Sequence, residues 1–333
     1  MNHTLTHRPR RLRQNPIIRN LVADVEVSLR HLIQPYFVTQ AAGPAERHPI
    51  SGFTDVFRYG VDALSVEIER DVESGVKSFL LFGDIESSLK DPIASRAYHE
   101  GTSVPEALRK LKSRFGPAAQ FFTDVCLCAY SENGHCGIVR EEEILNDVSL
   151  EALAKMAVCH AEAGADFVAP SDMMDGRVAY LRSALDRKGF QNVGILAYTA
   201  KFASSYYGPF REAVSSTPQG VTDRCSYQMD YRNSTEALRE LALDLEEGAD
   251  LVMVKPALPY LDVIKSIKDH SDVPVAAYSV SGEYEMVKQL AKLGMADEQK
   301  MAVENLHSIR RAGASIIVTY FATLAARKGW LPR

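Results

Sequence analysis

The sequence predicts a (β/α)8 barrel, and three observations carry that expectation. Eight short apolar runs lie along the chain, at 32–38, 78–82, 121–127, 166–169, 193–198, 251–254, 273–278 and 316–320, each followed by a helix-like stretch. They lack polar alternation, which is the pattern of strands buried on both faces of a parallel sheet. Four of them are entered in the same way, at Gly75-Val76-Lys77-Ser78, Gly164-Ala165-Asp166-Phe167, Gly248-Ala249-Asp250-Leu251 and Gly313-Ala314-Ser315-Ile316. Gly at the end of a helix permits the left-handed turn that opens a short loop into the next strand. Finally, 333 residues are enough for eight such units in one domain. A doubly wound open sheet is the competing arrangement, but no G-x-G-x-x-G opens the first crossover.

Composition narrows the class. Hydrophobic content of 46% and charged content of 24% are ordinary for a globular chain. A formal charge of −5 argues against a nucleic-acid binder. The longest apolar stretch, around 316–326, carries Thr and Tyr and is too short to cross a bilayer. No apolar signal core opens the chain, so secretion is not indicated. Five cysteines, three of them crowded together, suit a reducing compartment and a metal better than a disulfide framework. A soluble, cytoplasmic enzyme is expected.

Taken in order, residues 1–30 read as an arm ahead of a barrel domain at 31–333. Residues 1–23 contain no acidic group and carry Arg8, Arg10, Arg11, Arg13 and Arg19. Such a run is commonly a disordered basic tail, and a transit peptide would need a clearer amphipathic period. Ile17, Ile18, Leu21 and Val22 nevertheless give it something apolar to bury. The barrel helices show core spacing, as in Leu150, Leu153, Met156 and Ala157, or Leu238, Leu241 and Leu245. Ser103-x-x-Glu106 and Asn233-x-x-Glu236 have the offset of capping boxes opening two of these helices. Residues 202–232 form a long Gly-, Pro- and Ser-containing insertion between a strand and its helix, the place of an active-site lid.

Barrel chemistry sits at the C-terminal ends of the strands. The reactive residues just past an apolar run are Asp124, Cys126, Asp172, Lys201, Lys255, Ser281 and Tyr320. Lysine at a buried strand end either snorkels to solvent or is held desolvated, with its pKa lowered and a neutral amine available to attack a carbonyl. Two such lysines in one pocket repel as cations, which lowers at least one pKa further. Cys126, Cys128 and Cys136 follow C-x-C-x7-C spacing through a Gly-containing loop. They are either inert buried thiols or three metal ligands that leave a fourth position open, as in catalytic zinc sites.

Several long motifs carry a resemblance. Met253-Val254-Lys255-Pro256-Ala257, the run from Lys201-Phe202-Ala203-Ser204-Ser205-Tyr206-Tyr207-Gly208-Pro209-Phe210-Arg211 to Ala213, and Val168-Ala169-Pro170-Ser171-Asp172-Met173-Met174-Asp175-Gly176-Arg177 resemble the porphobilinogen synthase (5-aminolaevulinate dehydratase) family. The likeness runs from the Arg-rich N-terminus to about Ala322. It implies condensation of two 5-aminolaevulinate molecules to porphobilinogen with loss of two waters, in tetrapyrrole and haem biosynthesis. It further implies that Lys255 holds the P-side substrate and Lys201 the A-side substrate as Schiff bases. Arg211, Arg224 and Gln228 would grip the A-side carboxylate, and Ser281 and Tyr320 the P-side one. Asp124 and Asp172 would handle protons and orient amines, with no basis for dividing those jobs.

The cysteine triplet resembles the zinc-using members of the family, although Ala129 stands where many members have proline. Glu240, four residues after Glu236, matches a magnesium ligand outside the active site, while the spacing alone suggests a solvated helix face. A second metal site at His135 and Cys225 is not expected, because the cysteine comes one place early. The resemblance also implies a homo-octamer in which the arm wraps a neighbouring subunit. A class I aldolase shares the barrel and one Schiff-base lysine but needs no thiolate zinc. A non-enzymatic zinc-binding regulator leaves the paired lysines unexplained.

Overall fold

The structure, a computed structural model, describes residues 6–216 and 223–333. Residues 1–5 of the expected arm and 217–222 of the expected lid lie outside the described residues. All eight apolar runs form strands: β1 Leu32–Thr39, β2 Ser78–Asp84, β3 Gln120–Val125, β4 Phe167–Pro170, β5 Gly194–Lys201, β6 Leu251–Lys255, β7 Val275–Ser279 and β8 Ile316–Thr319. Neighbours in sequence pair in parallel around the ring, and β8 returns to β1 through Leu32↔Ile317 and Ile33↔Val318. Closure leaves no barrel edge unpaired, which buries every strand on both faces and accounts for the unbroken apolar runs. The expected (β/α)8 barrel is the observed architecture.

The four boundary glycines behave as their positions require. Gly75, Gly164, Gly248 and Gly313 have φ of +112°, +104°, +94° and +123°. Any other residue there would be strained. The helices they end, Val61–Ser74, Asn146–Glu162, Glu236–Glu246 and Glu298–Ala312, bury Leu64, Leu153, Leu241 and Leu306 against the strands.

Three local features differ from the sequence expectation. Neither capping box forms: helix Ser103–Phe115 is entered through Thr102 and helix Glu236–Glu246 through Thr235, both without a side-chain cap bond. Ser103 is instead buried with its hydroxyl unpartnered among the described residues, so packing outweighs capping there. A short hairpin, Arg47–Pro49 with Phe57–Tyr59, adds to β1 through Phe37↔Arg58. Its strands are only three residues each, too short to show a period. At the base of the barrel, the Leu29 amide donates to the Pro332 carbonyl at 2.9 Å, so the two ends of the ring lie together. Within the arm, Asn15 caps a short helix, Pro16–Leu21, that leaves Ile17 and Leu21 81% and 78% exposed.

Candidate active site

The parallel register of β5 and β6 aligns Lys201 directly with Lys255, so the two lysines leave adjacent strands at the same height. Both are buried. The Lys255 amine sits among aromatic rings, 4.4 Å from the Tyr278 centroid, 4.8 Å from Phe210, 5.0 Å from Tyr198 and 5.4 Å from Tyr207. Burial in this box, followed by the nearby Lys201 cation, pulls its pKa down to about 7. Lys201 donates to the Ser171 carbonyl at the end of β4, which aims its amine across the mouth.

Two carboxyls face the amines. Burial pushes Asp124 up to about 6, against the opposing pull of a Ser171 hydrogen bond and the two lysines. Asp172 is likewise raised to about 6 by burial, offset by Arg177 and by the Met174 amide, which donates to Oδ1 at 2.8 Å. Each keeps one buried oxygen without a partner among the described residues. Each carboxyl therefore has room for one more contact.

The β3 strand ends at Val125, two residues earlier than expected, so Cys126 stands with Cys128 on the loop rather than in the strand. The loop returns through Gly134, and the sulfurs of Cys126, Cys128 and Cys136 all lie within 4.8 Å of one another. Cys126 and Cys128 are 3.3 Å apart. Hydrogen bonds from Cys126 and Cys128 hold Cys136 well below the usual thiol range, while the same contacts push Cys126 up. Three buried sulfurs gathered so closely are the donor arrangement of a soft-cation site.

The remaining predicted residues divide into those at the mouth and one outside it. Arg224 is buried and donates to the carbonyls of Gly134 and Ser216 at 2.8 and 2.6 Å, linking the cysteine loop to the insertion. Gln228 is buried with both amide atoms unpartnered among the described residues, and Arg211 keeps a buried, unpartnered Nε. Ser281 accepts from the Phe210 amide and donates to the Tyr206 carbonyl, both at 3.2 Å, so it presently fastens the insertion to the barrel. Tyr320 shares a 3.0 Å hydrogen bond with Tyr278. Glu240 is on the outer helix Glu236–Glu246, where it lines a recess of about 460 Å³ with Glu236, Asp175 and Asp230. Burial raises its pKa, so this carboxylate is not on a freely solvated face. His135 is buried, with Nδ1 3.2 Å from the Tyr227 hydroxyl, whereas Cys225 is exposed.

Sequence reasoning did not single out the aromatic box of Tyr198, Tyr207, Phe210 and Tyr278. Tyr198 and Tyr278 end apolar runs, where an aromatic reads as ordinary core, while Tyr207 and Phe210 lie in the insertion at 202–232. The available signal was that Tyr198 precedes Lys201 by three residues and Tyr278 precedes Ser281 by three.

Fold and site together define a (β/α)8 enzyme with lysine, carboxylate and thiol groups gathered at one mouth. Comparison with known proteins then narrows the class. The family model for delta-aminolevulinic acid dehydratase matches residues 6–328, and the chain belongs to that family. It is 45% identical over 324 residues to the delta-aminolevulinic acid dehydratase of Halalkalibacterium halodurans, covering 97% of this chain and 96% of the relative. With the enzyme of that name from Methanothermus sociabilis it shares 49% over 315 residues, covering 95% and 96%. A crystal structure of the Toxoplasma gondii ME49 protein, delta-aminolevulinic acid dehydratase (porphobilinogen synthase) in complex with the reaction product porphobilinogen, superposes with a TM-score of 0.94. That likeness is at 43% identity and covers 97% of this chain and 92% of the other. No helix among the described residues is long and apolar enough to cross a membrane.

Proposed function

We propose that the chain is a porphobilinogen synthase, a lyase of porphyrin biosynthesis that condenses two 5-aminolaevulinate molecules with loss of two waters. The observation that carries the reading is the pair of buried lysines at matched register, one with a pKa near 7. A substantial neutral fraction of Lys255 at physiological pH can add to a ketone, and the resulting imine makes the adjacent carbon acidic. Lys201 would do the same for the second substrate, so that two carbonyls are activated side by side. An aldolase needs only one such amine.

Asp124 and Asp172, with pKa values about 6, suit proton acceptance and return near neutrality. The forks of Arg211 and Arg224, with the unpartnered Gln228 amide, would hold the A-side carboxylate in bidentate fashion. Ser281 and Tyr320 would take the P-side carboxylate.

The donor set of Cys126, Cys128 and Cys136 fits zinc: three soft ligands, buried and gathered within 4.8 Å of one another. When bound there, zinc supplies Lewis acidity toward the A-side substrate. Glu240, Glu236 and Asp175 offer hard oxygen donors that suit magnesium outside the mouth. The exposed Ile17 and Leu21 of residues 1–30 fit an arm that packs on a neighbouring subunit of a homo-octamer. Residues 202–232 are taken as the lid, and a cytoplasmic location is inferred from the thiol content. The test is pyrrole formation from 5-aminolaevulinate, before and after chelation and zinc return. Activity should vanish and recover. Full activity of a Cys126→Ala/Cys128→Ala/Cys136→Ala protein with magnesium alone would overturn the metal assignment.

A further inference from the structure

The aromatic box around Lys255 contains one hydroxyl that nothing yet accounts for. The Tyr207 hydroxyl donates to the carbonyls of Phe202 and Lys255, at 2.8 and 3.2 Å. That of Tyr278 is paired with Tyr320, and Phe210 has none. The Tyr198 hydroxyl is fully buried and has no hydrogen-bond partner among the described residues. An uncommitted buried hydroxyl costs stability unless something arrives to meet it.

Its position is built rather than incidental. The β5–β6 register shifts at this point: Ala197 pairs with Val252 but Ala200 with Val254, so Tyr198 and Thr199 together oppose Met253. Such a bulge re-aims side chains and is common beside active sites. The Arg177 guanidinium fixes the bulge from behind by donating to the Tyr198 carbonyl at 3.3 Å. The ring is thereby placed close to both amines, its centroid 5.0 Å from Lys255 Nζ and 5.9 Å from Lys201 Nζ.

We propose that Tyr198 is a further catalytic residue, whose hydroxyl donates a hydrogen bond to the substrate carbonyl oxygen as the Lys255 amine adds to it. This rests on the Schiff-base reading above. The lysine nitrogen forms the new C–N bond with its lone pair, and the carbonyl π pair moves onto oxygen. The phenol stabilises that oxygen without surrendering its own proton. Both amine protons finally leave with the oxygen as water, giving the imine. Burial holds the phenol well above its ordinary pKa, so it stays a neutral donor across the working range.

Tyr198→Phe keeps the ring, and with it the packing around both amines. Borohydride trapping in a single turnover of 5-aminolaevulinate, with the adduct located by peptide mass spectrometry, reads the step directly. Removing one such donor should slow adduct formation at Lys255 about 100-fold. Turnover should fall in step, with KM changed less than about threefold and Tm not lowered, since the substitution removes an unpartnered buried hydroxyl. The pH midpoint of trapping should also stay in place, because the ring still shields the amine. A trapping rate within twofold of the parent overturns the proposal, as does lost turnover with trapping intact. A parent protein that yields no adduct on Lys255 or Lys201 instead overturns the imine reading, and the proposal with it.

Discussion

Lys255 shows how far a residue's chemistry is set by its surroundings. On a free chain its amine would be almost wholly protonated at neutral pH; here burial among four rings, with Lys201 beside it, lowers the pKa to about 7. The charged form predominates below that value and the neutral nucleophile above it. The rate of borohydride trapping should therefore rise with pH through a midpoint near 7 and then level off. Lys255→Arg should abolish trapping at this position and pyrrole formation, since a guanidinium stays charged and forms no imine. A midpoint near 10 would show that the aromatic box does not desolvate the amine.

At the scale of elements, the insertion after β5 is tied down at Ala213, Ser215 and Arg224. Arg58, itself paired with Asp84 at 3.1 Å, donates to the Ala213 carbonyl at 2.7 Å, and Lys90 reaches the Ser215 carbonyl at 2.7 Å. Arg224 then joins the insertion to the cysteine loop. Arg224→Lys retains charge but loses the fork, so A-side affinity should weaken by about 1–3 kcal/mol while P-side trapping at Lys255 survives. Equal losses of P-side trapping and turnover would mean that the substrates are not held separately. The strands were legible because burial on both faces leaves an unbroken apolar signature, and so were Lys201, Lys255 and the thiols, which stand out chemically at strand ends. The aromatic box was not, because Tyr198 and Tyr278 look the same in sequence whether they fill a core or wall a chamber. The absent cap at Ser103 shows the converse: a correct local motif gives way where tertiary packing claims the residue.

Taken as a whole, the molecule is a ring of eight parallel strands whose mouth collects groups from β3, β4, β5, β6 and the loops after β7 and β8. This dispersal explains why family likeness extends over residues 6–328 rather than over one motif. Each strand end supplies a part, and the barrel's spacing makes the parts meet. The meeting of Leu29 with Pro332 adds a consequence of a different kind. A closed ring has no intrinsic first strand, and here the Leu29–Pro332 hydrogen bond brings together the places where the chain enters and leaves it. A few linking residues between 333 and 29, with new termini opened at the exposed Leu293-Gly294-Met295 turn, should give a permuted barrel that still folds and still traps substrate at Lys255. Because that protein would lack residues 1–28, its size in solution would report separately what the arm contributes to assembly. In this sense order along the chain is dispensable, and order around the ring is what the chemistry requires.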